Sequence, residues 1–262
     1  MSPLEIYQVY VHERRSAPIE GFTLETLPYL SRFTALGKRD VTEGFVMFAR
    51  LPPGQEEALI DEQIRHFETA GQNFEWKVYD FDTPATLREQ LGQRGFTCEE
   101  EEAFLVLRSA DWEEPASPPR GVRIERIVDD RGLKEILAVQ SALDPMDFSA
   151  VFERYSRLLR QAPRQASMYC AYRGEVPVGT GWIDFTPGST FADLHGGAVL
   201  PAARGRGIFS ALLHARMNEA FDRGYEYVAA DTTRMSRPIL LKKGFQHVCY
   251  TYPLRRAKEA AR

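Results

Sequence analysis

A chain of 262 residues, 44% hydrophobic and 27% charged, has the balance of a folded protein and room for two cores. Its net charge of −4 divides unevenly: residues 1–120 hold 12 Lys+Arg against 22 Asp+Glu, while residues 121–262 hold 21 against 15. The acidic whole argues against a nucleic-acid partner, and the absence of any apolar run of ~20 residues argues against a membrane span.

In chain order, the first clear elements are a strand at 44–51, the turn Pro52-Pro53-Gly54-Gln55, a helix at 56–70 and a strand at 74–79. A short helix at 83–93 and a strand at 96–107 follow. The stretch 109–121 has no apolar periodicity and includes Trp112-Glu113-Glu114-Pro115-Ala116-Ser117-Pro118-Pro119, which reads as an exposed linker. We therefore expect a domain at 1–108, a linker at 109–121 and a second domain at 122–262.

Beyond the linker the pattern alternates cleanly. A strand at 122–127 leads to helices at 131–143 and 148–161, the second with Phe152, Tyr155, Leu158 and Leu159 on one face. Strands at 167–173 and 177–185 meet at Gly174-Glu175, and a further strand spans 191–200. A helix at 208–222 ends before Gly224, as a C-terminal cap glycine dictates. A strand at 225–231, a short helix at 236–243 and a strand at 245–254 complete the chain. Cys98, Cys170 and Cys249 are scattered, and the five histidines lack ligand spacing, so we expect reduced thiols and no metal site. With no signal peptide visible at Met1-Ser2-Pro3-Leu4-Glu5, a cytoplasmic location is the expectation.

The most informative segment joins the strand at 191–200 to the helix at 208–222. It reads Pro201-Ala202-Ala203-Arg204-Gly205-Arg206-Gly207-Ile208-Phe209-Ser210. Glycines admit an anion close to the main chain, and the helix start points N–H groups and positive dipole at it. Two arginines add charged donors. The Walker ending Gly-Lys-Ser/Thr is absent, and Ser210 stands where a dinucleotide fingerprint needs its third glycine.

This segment resembles the acyl-CoA diphosphate loop of the GNAT superfamily of N-acetyltransferases, Gln/Arg-x-x-Gly-x-Gly/Ala, through Arg204 and Gly207. Phe209 departs from the last position, and its ring must face away from the phosphates for the site to stay open. The element order of 122–255 and the Lys243-Gly244-Phe245 ending match the same family. The resemblance implies an α/β (α+β) fold with a mixed, mostly antiparallel sheet flanked by helices. It also implies acetyl-CoA as acyl donor, held by Ala198, Val199 and Leu200 along the pantetheine and by Arg204, Gly205, Arg206, Gly207, Ile208, Phe209 and Ser210 around the diphosphate.

Gly95-Phe96 precedes Gly244-Phe245 by 149 residues, and Pro52 precedes Pro201 by the same interval. We read two tandem GNAT-like domains, the first a degenerate copy. Its turn has one glycine, no arginine, and Glu56 and Glu57 at the helix start, which would repel a diphosphate.

Acyl transfer to an amine needs a base, and Asp193 and His195 alternate on the strand that enters the loop. Asp231 is a third candidate, with capping of the next turn as its other reading. The family's acid, a tyrosine seven residues after an asparagine, falls on Leu240, with Thr233 in the asparagine position. Tyr250 or Tyr252 on the last strand, or water, remains for that role. The expected function is transfer of acetyl to an amine of a small molecule. The alternative is an acyl-CoA-binding sensor that has lost turnover. A homodimer is compatible with either.

Overall fold

The computed structural model describes residues 1–36, 43–113, 118–144 and 147–257. The chain divides into two units, residues 1–105 with 231–262 and residues 106–230.

The first unit opens with α1 (Pro3–Arg14), started by a reciprocal cap. The Ser2 hydroxyl accepts from the Glu5 N–H, the Glu5 carboxylate accepts from the Ser2 N–H, and Pro3 presets the first helical φ. A hairpin of β1 (Phe22–Leu27) and β2 (Leu30–Ala35) follows, and β3 (Gly44–Met47) pairs antiparallel with β2. The crossover helix α2 (Glu56–Ala70) returns the chain to β4 (Phe74–Tyr79), parallel to β3. Next come α3 (Leu87–Gln93), β5 (Thr97–Cys98) and β6 (Glu102–Arg108). Leu30, Val46, Ile60, Phe67, Phe74, Trp76 and Leu91 form the core, each buried side chain contributing ~1.5–3 kcal/mol.

In the second unit β7 (Val122–Ile127), β8 (Ala166–Arg173), β9 (Val176–Phe185) and β10 (Phe191–Val199) pair antiparallel in that order. Gly174, at φ 59°, supplies the positive φ of the tight turn between β8 and β9. The helices α4 (Asp130–Ser141) and α5 (Ser149–Gln161) precede β8, and Asp129 caps α4 by accepting from the Gly132 N–H at 2.9 Å. After β10 the chain crosses through α6 (Ile208–Asp222) into β11 (Tyr227–Thr232), parallel to β10. Alternation of side chains decides which helix takes which face. Met168, Cys170 and Trp182 pack with Leu133, Ile136, Tyr155 and Leu158 of α4 and α5. Ala171, Val178 and Val199 pack with Ile208 and Leu212 of α6.

The closing elements, α7 (Arg237–Lys242) and β12 (Gln246–Arg256), fall in the first unit. Residues Thr251–Arg256 of β12 pair antiparallel with Tyr79–Phe74 of β4, and Leu254 enters that unit's core. Both units repeat one plan: a hairpin, an antiparallel third strand, a crossover helix and a parallel fourth strand. In the linker stretch, Ser109–Asp111 form a 3-10 turn and the Trp112 Nε1–H donates to Asn218 Oδ1 at 2.9 Å. Residues 114–117 of that stretch lie outside the described residues.

Candidate functional site

The loop between β10 and α6 is built around two positive-φ glycines. Gly205 (φ 70°) and Gly207 (φ 76°) turn the chain, and Gly207 is the N-cap of α6 without any side-chain cap. Among the described residues no group accepts from the N–H groups of residues 205–210. A Cβ at Gly205 would meet nothing within 4 Å, so the loop is open there, whereas one at Gly207 would lie 3.2 Å from the Pro119 ring. The donors and the space suit a diphosphate. Arg204 turns Nε back onto Val199 O at 3.0 Å, and Arg206 is exposed. Phe209 folds toward β10: its Cε2 would lie 3.1 Å from a Cβ on Gly197, and it packs beside Val199 and Leu212. Ile208 is buried in that same cluster, and Ser210 is half-buried.

Just before the loop, β10 carries a bulge. Its register against β9 shifts between His195 and Ala198, and Gly196 adopts φ 56°. A Cβ on Gly196 would sit 1.7 Å from the Trp182 ring, so only glycine fits. The Gly196 carbonyl, released from the ladder, accepts from Gln140 Nε2 (2.8 Å) and Thr180 Oγ1 (3.1 Å). Pairing of β10 with β11 runs only from Phe191 to Leu194 against Tyr227 to Ala230. The edge of β10 at Ala198 and Val199, with Leu200 just after the strand, lies beyond that pairing.

Asp193 and His195 stand opposite Asp184 and Trp182 of β9, on the face covered by α4 and α5. Asp184 is fixed there by Arg154 Nη2 (2.6 Å) and the Tyr155 hydroxyl (3.0 Å), both from α5. The half-exposed His195 brings Nε2 to 3.9 Å from Asp184 Oδ2. Tyr155 is held protonated by burial, which pushes its hydroxyl well above the ordinary range. Arg154, Tyr155 and Asp184 thus form a fixed polar wall beside an exposed imidazole.

Tyr250 lies on β12 in the other unit. Its N–H donates to Asp80 Oδ2 at 2.8 Å, the Arg237 guanidinium lies 5.0 Å from its ring centroid, and His247 packs at 4.5 Å. Asp231 is engaged by Lys77 in an ion pair and accepts from Thr251 Oγ1 at 3.4 Å. Glu102, beside Lys77, is pushed up to about 7 by burial. Leu240, at the family's tyrosine position, is buried.

Several groups here escape the sequence reading. The Gly196-Gly197 pair inside a strand pattern was a readable signal for a bulge. Asp184 with Arg154, and Gln140 with Thr180, carry no spacing signal because tertiary packing alone brings them together. Among the described residues no group of three His, Cys, Asp or Glu side chains could hold a metal ion, and no helix is long and apolar enough to cross a membrane.

The Acetyltransferase (GNAT) family model matches residues 133–241. Solved structures with the same architecture include a GCN5-related N-acetyltransferase from Kribbella flavida, 14% identical, with a TM-score of 0.69 over 99% of this chain and 95% of that one. A tandem GNAT protein from the clavulanic acid biosynthesis pathway is 15% identical, with a TM-score of 0.62 over 97% of this chain and 88% of that one. A GCN5-related N-acetyltransferase from Sphaerobacter thermophilus is 17% identical, with a TM-score of 0.61 over 89% and 82%. At such identities the likenesses establish the fold. A search of curated proteins gives no significant match. The mixed α/β architecture is a GNAT fold, and residues 133–241 are the part of the chain that the GNAT acetyltransferase family model matches.

Proposed function

We propose that this GNAT domain makes the chain an N-acyltransferase that moves an acetyl group from acetyl-CoA to the amine of a small molecule. The observation that carries the reading is the open loop at residues 205–210, whose N–H groups have no acceptor among the described residues and are flanked by Arg204 and Arg206. In this reading those N–H groups and guanidinium groups hold the diphosphate, and residues Ala198, Val199 and Leu200 border the pantetheine. Val199 offers less than its position implies, because its carbonyl already accepts from Arg204.

Bound acetyl-CoA would supply an activated thioester. The protein's part is to orient an amine and take its proton. His195 is the first choice of base: it is half exposed, and the Asp184 carboxylate 3.9 Å from Nε2 can stabilise the charged ring. Asp193, two residues earlier on the same face, is the second choice. Tyr250 is the tyrosine we assign to protonate the leaving thiolate. We read residues 1–108 as a degenerate GNAT copy without chemistry, and residues 122–262 as the working copy.

One observation favours a second reading, an acyl-CoA sensor without turnover: leucine at position 240 cannot donate a proton. Calorimetry with CoA and acetyl-CoA, followed by thiol release against a panel of amines, separates the two. Release that saturates with one class of amine supports the enzyme. Tight binding with no release above the hydrolytic background leaves the sensor, and no binding overturns both.

A further inference from the structure

The helix α6 buries an arginine where its stripe of Leu212, Leu213, Met217 and Ala220 calls for an aliphatic residue. Arg216 is 2% exposed. Nε donates to Leu212 O (2.9 Å), and Nη1 donates to both Trp182 O (3.3 Å) and His195 O (3.2 Å). Nη2 donates to no described group, and no carboxylate of the described residues pairs with the guanidinium. The Tyr169 hydroxyl is the titratable group that acts on it electrostatically, and that hydroxyl itself donates to Glu219 Oε2 at 2.7 Å. Burial draws the pKa of Arg216 down to about 10, which still leaves it charged at neutral pH.

Two glycines make the room. A Cβ on Gly181 would lie 2.6 Å from the Arg216 Cζ, and one on Gly197 would lie 3.5 Å from Nη2. A buried cation without an anion is costly, and an aliphatic residue of similar volume would serve packing better. Its position is informative. His195 is the first β10 residue past the last pair with β11, Leu194 with Ala230, so the charge sits at the fork where the two strands part, three residues before Ala198 and therefore at the end of the proposed pantetheine path that lies away from the diphosphate loop.

We propose that Arg216 is a positioning residue whose fixed charge, delivered through the β10 bulge, favours negative charge on the donor's sulfur. The inference rests on the acyl-CoA reading above. In the transfer the amine nitrogen bonds the acyl carbon, the carbon–sulfur bond breaks, and its electron pair leaves on sulfur while the amine gives its proton to the base. A cation at the fork lowers the demand for an acid, which is the group that position 240 lacks.

The test titrates the thiol of bound CoA by its thiolate ultraviolet absorbance. In the wild-type protein the midpoint is expected about one unit below that of free CoA. Arg216→Met should return it to the free value while CoA affinity changes less than about threefold, and Arg216→Lys should retain part of the shift. A midpoint equal in wild type and variants overturns the proposal. Should the methionine variant fail to fold, the wild type alone decides: bound CoA titrating like free CoA overturns it. A wild-type protein that binds no CoA instead overturns the reading of the loop, a result distinguishable by calorimetry before any titration.

Discussion

Arg204 and Gly196 show how single residues set this site. Arg204 anchors itself through Nε on Val199 O, which leaves its two Nη groups for an anion. Arg204→Glu replaces an attraction by a repulsion at an exposed position, so acetyl-CoA affinity should fall more than about tenfold with the melting temperature nearly unchanged. Equal affinity by calorimetry would remove the loop from the binding site. Gly196 holds φ 56° against the Trp182 ring. Gly196→Ala combines backbone strain with overpacking and should destabilise the second unit by about 3 kcal/mol, read as a lower urea midpoint. A midpoint equal to that of the wild type would mean that the bulge is not the tight fit described. The loop was legible because glycine, arginine and proline leave a local trace. Arg216 could have been noticed as a break in an apolar stripe, but its partners Trp182 O and His195 O lie 34 and 21 residues away and leave none.

At the scale of elements, the two halves differ in what occupies the fork between the parallel strands. In the first half β3 and β4 part after Met47 and Lys77, and the chain's own segment enters the gap. The Leu51 N–H donates to Thr83 O (2.9 Å), the Thr83 N–H donates to Ala49 O (3.0 Å), and Phe48, at φ 61°, stacks on Tyr79. If the acyl-CoA arm of the proposed function lies in the fork of the second half, the matching main-chain groups of the first half are taken by the chain itself, and Glu56 and Glu57 begin α2. Calorimetry should give one acetyl-CoA per chain, and a stoichiometry of two would refute the blocked fork. Asp82 holds this segment through Tyr7, whose hydroxyl donates to Oδ1 at 2.9 Å. Burial pushes its folded pKa up to about 7, whereas an unfolded Asp titrates near ~3.9. The native state thus keeps a proton the unfolded chain has lost, and this stability is complete below the lower value and drains away as pH rises to the upper. Asp82→Asn keeps an acceptor for the Tyr7 hydroxyl, gives up the one that takes the Tyr79 N–H at 3.0 Å and cannot ionise, so whatever its absolute stability its urea midpoint should fall less than the wild type's between about pH 4 and pH 7. Parallel profiles would show that Asp82 is ionised in the fold. These opening elements were the hardest to read: the buried face of α1, Ile6, Tyr7 and Tyr10, also includes Arg14, while the apolar Leu4 is exposed, so the sequence marks no apolar stripe.

For the whole molecule, the order of elements along the chain was legible but the membership of the last strand was not. Local pattern makes residues 245–254 a strand, yet nothing in it names a partner, and β12 lends its ladder to β4 of the first unit. The family match at residues 133–241 stops short of this strand. A fragment of residues 122–262 would leave Thr251–Arg256 without the β4 ladder, Leu254 outside its core and Asp231 without Lys77. An unpaired strand with an apolar face is an aggregation template, and a half-buried carboxylate without its cation adds to the cost. We expect this fragment alone to aggregate or to unfold without a cooperative transition, and to become soluble when residues 1–120 are co-expressed and copurify with it. A monomeric fragment 122–262 with a sharp thermal transition and full acetyl-CoA affinity would show that the pairing of β12 with β4 is dispensable, and that the second half is a domain in its own right.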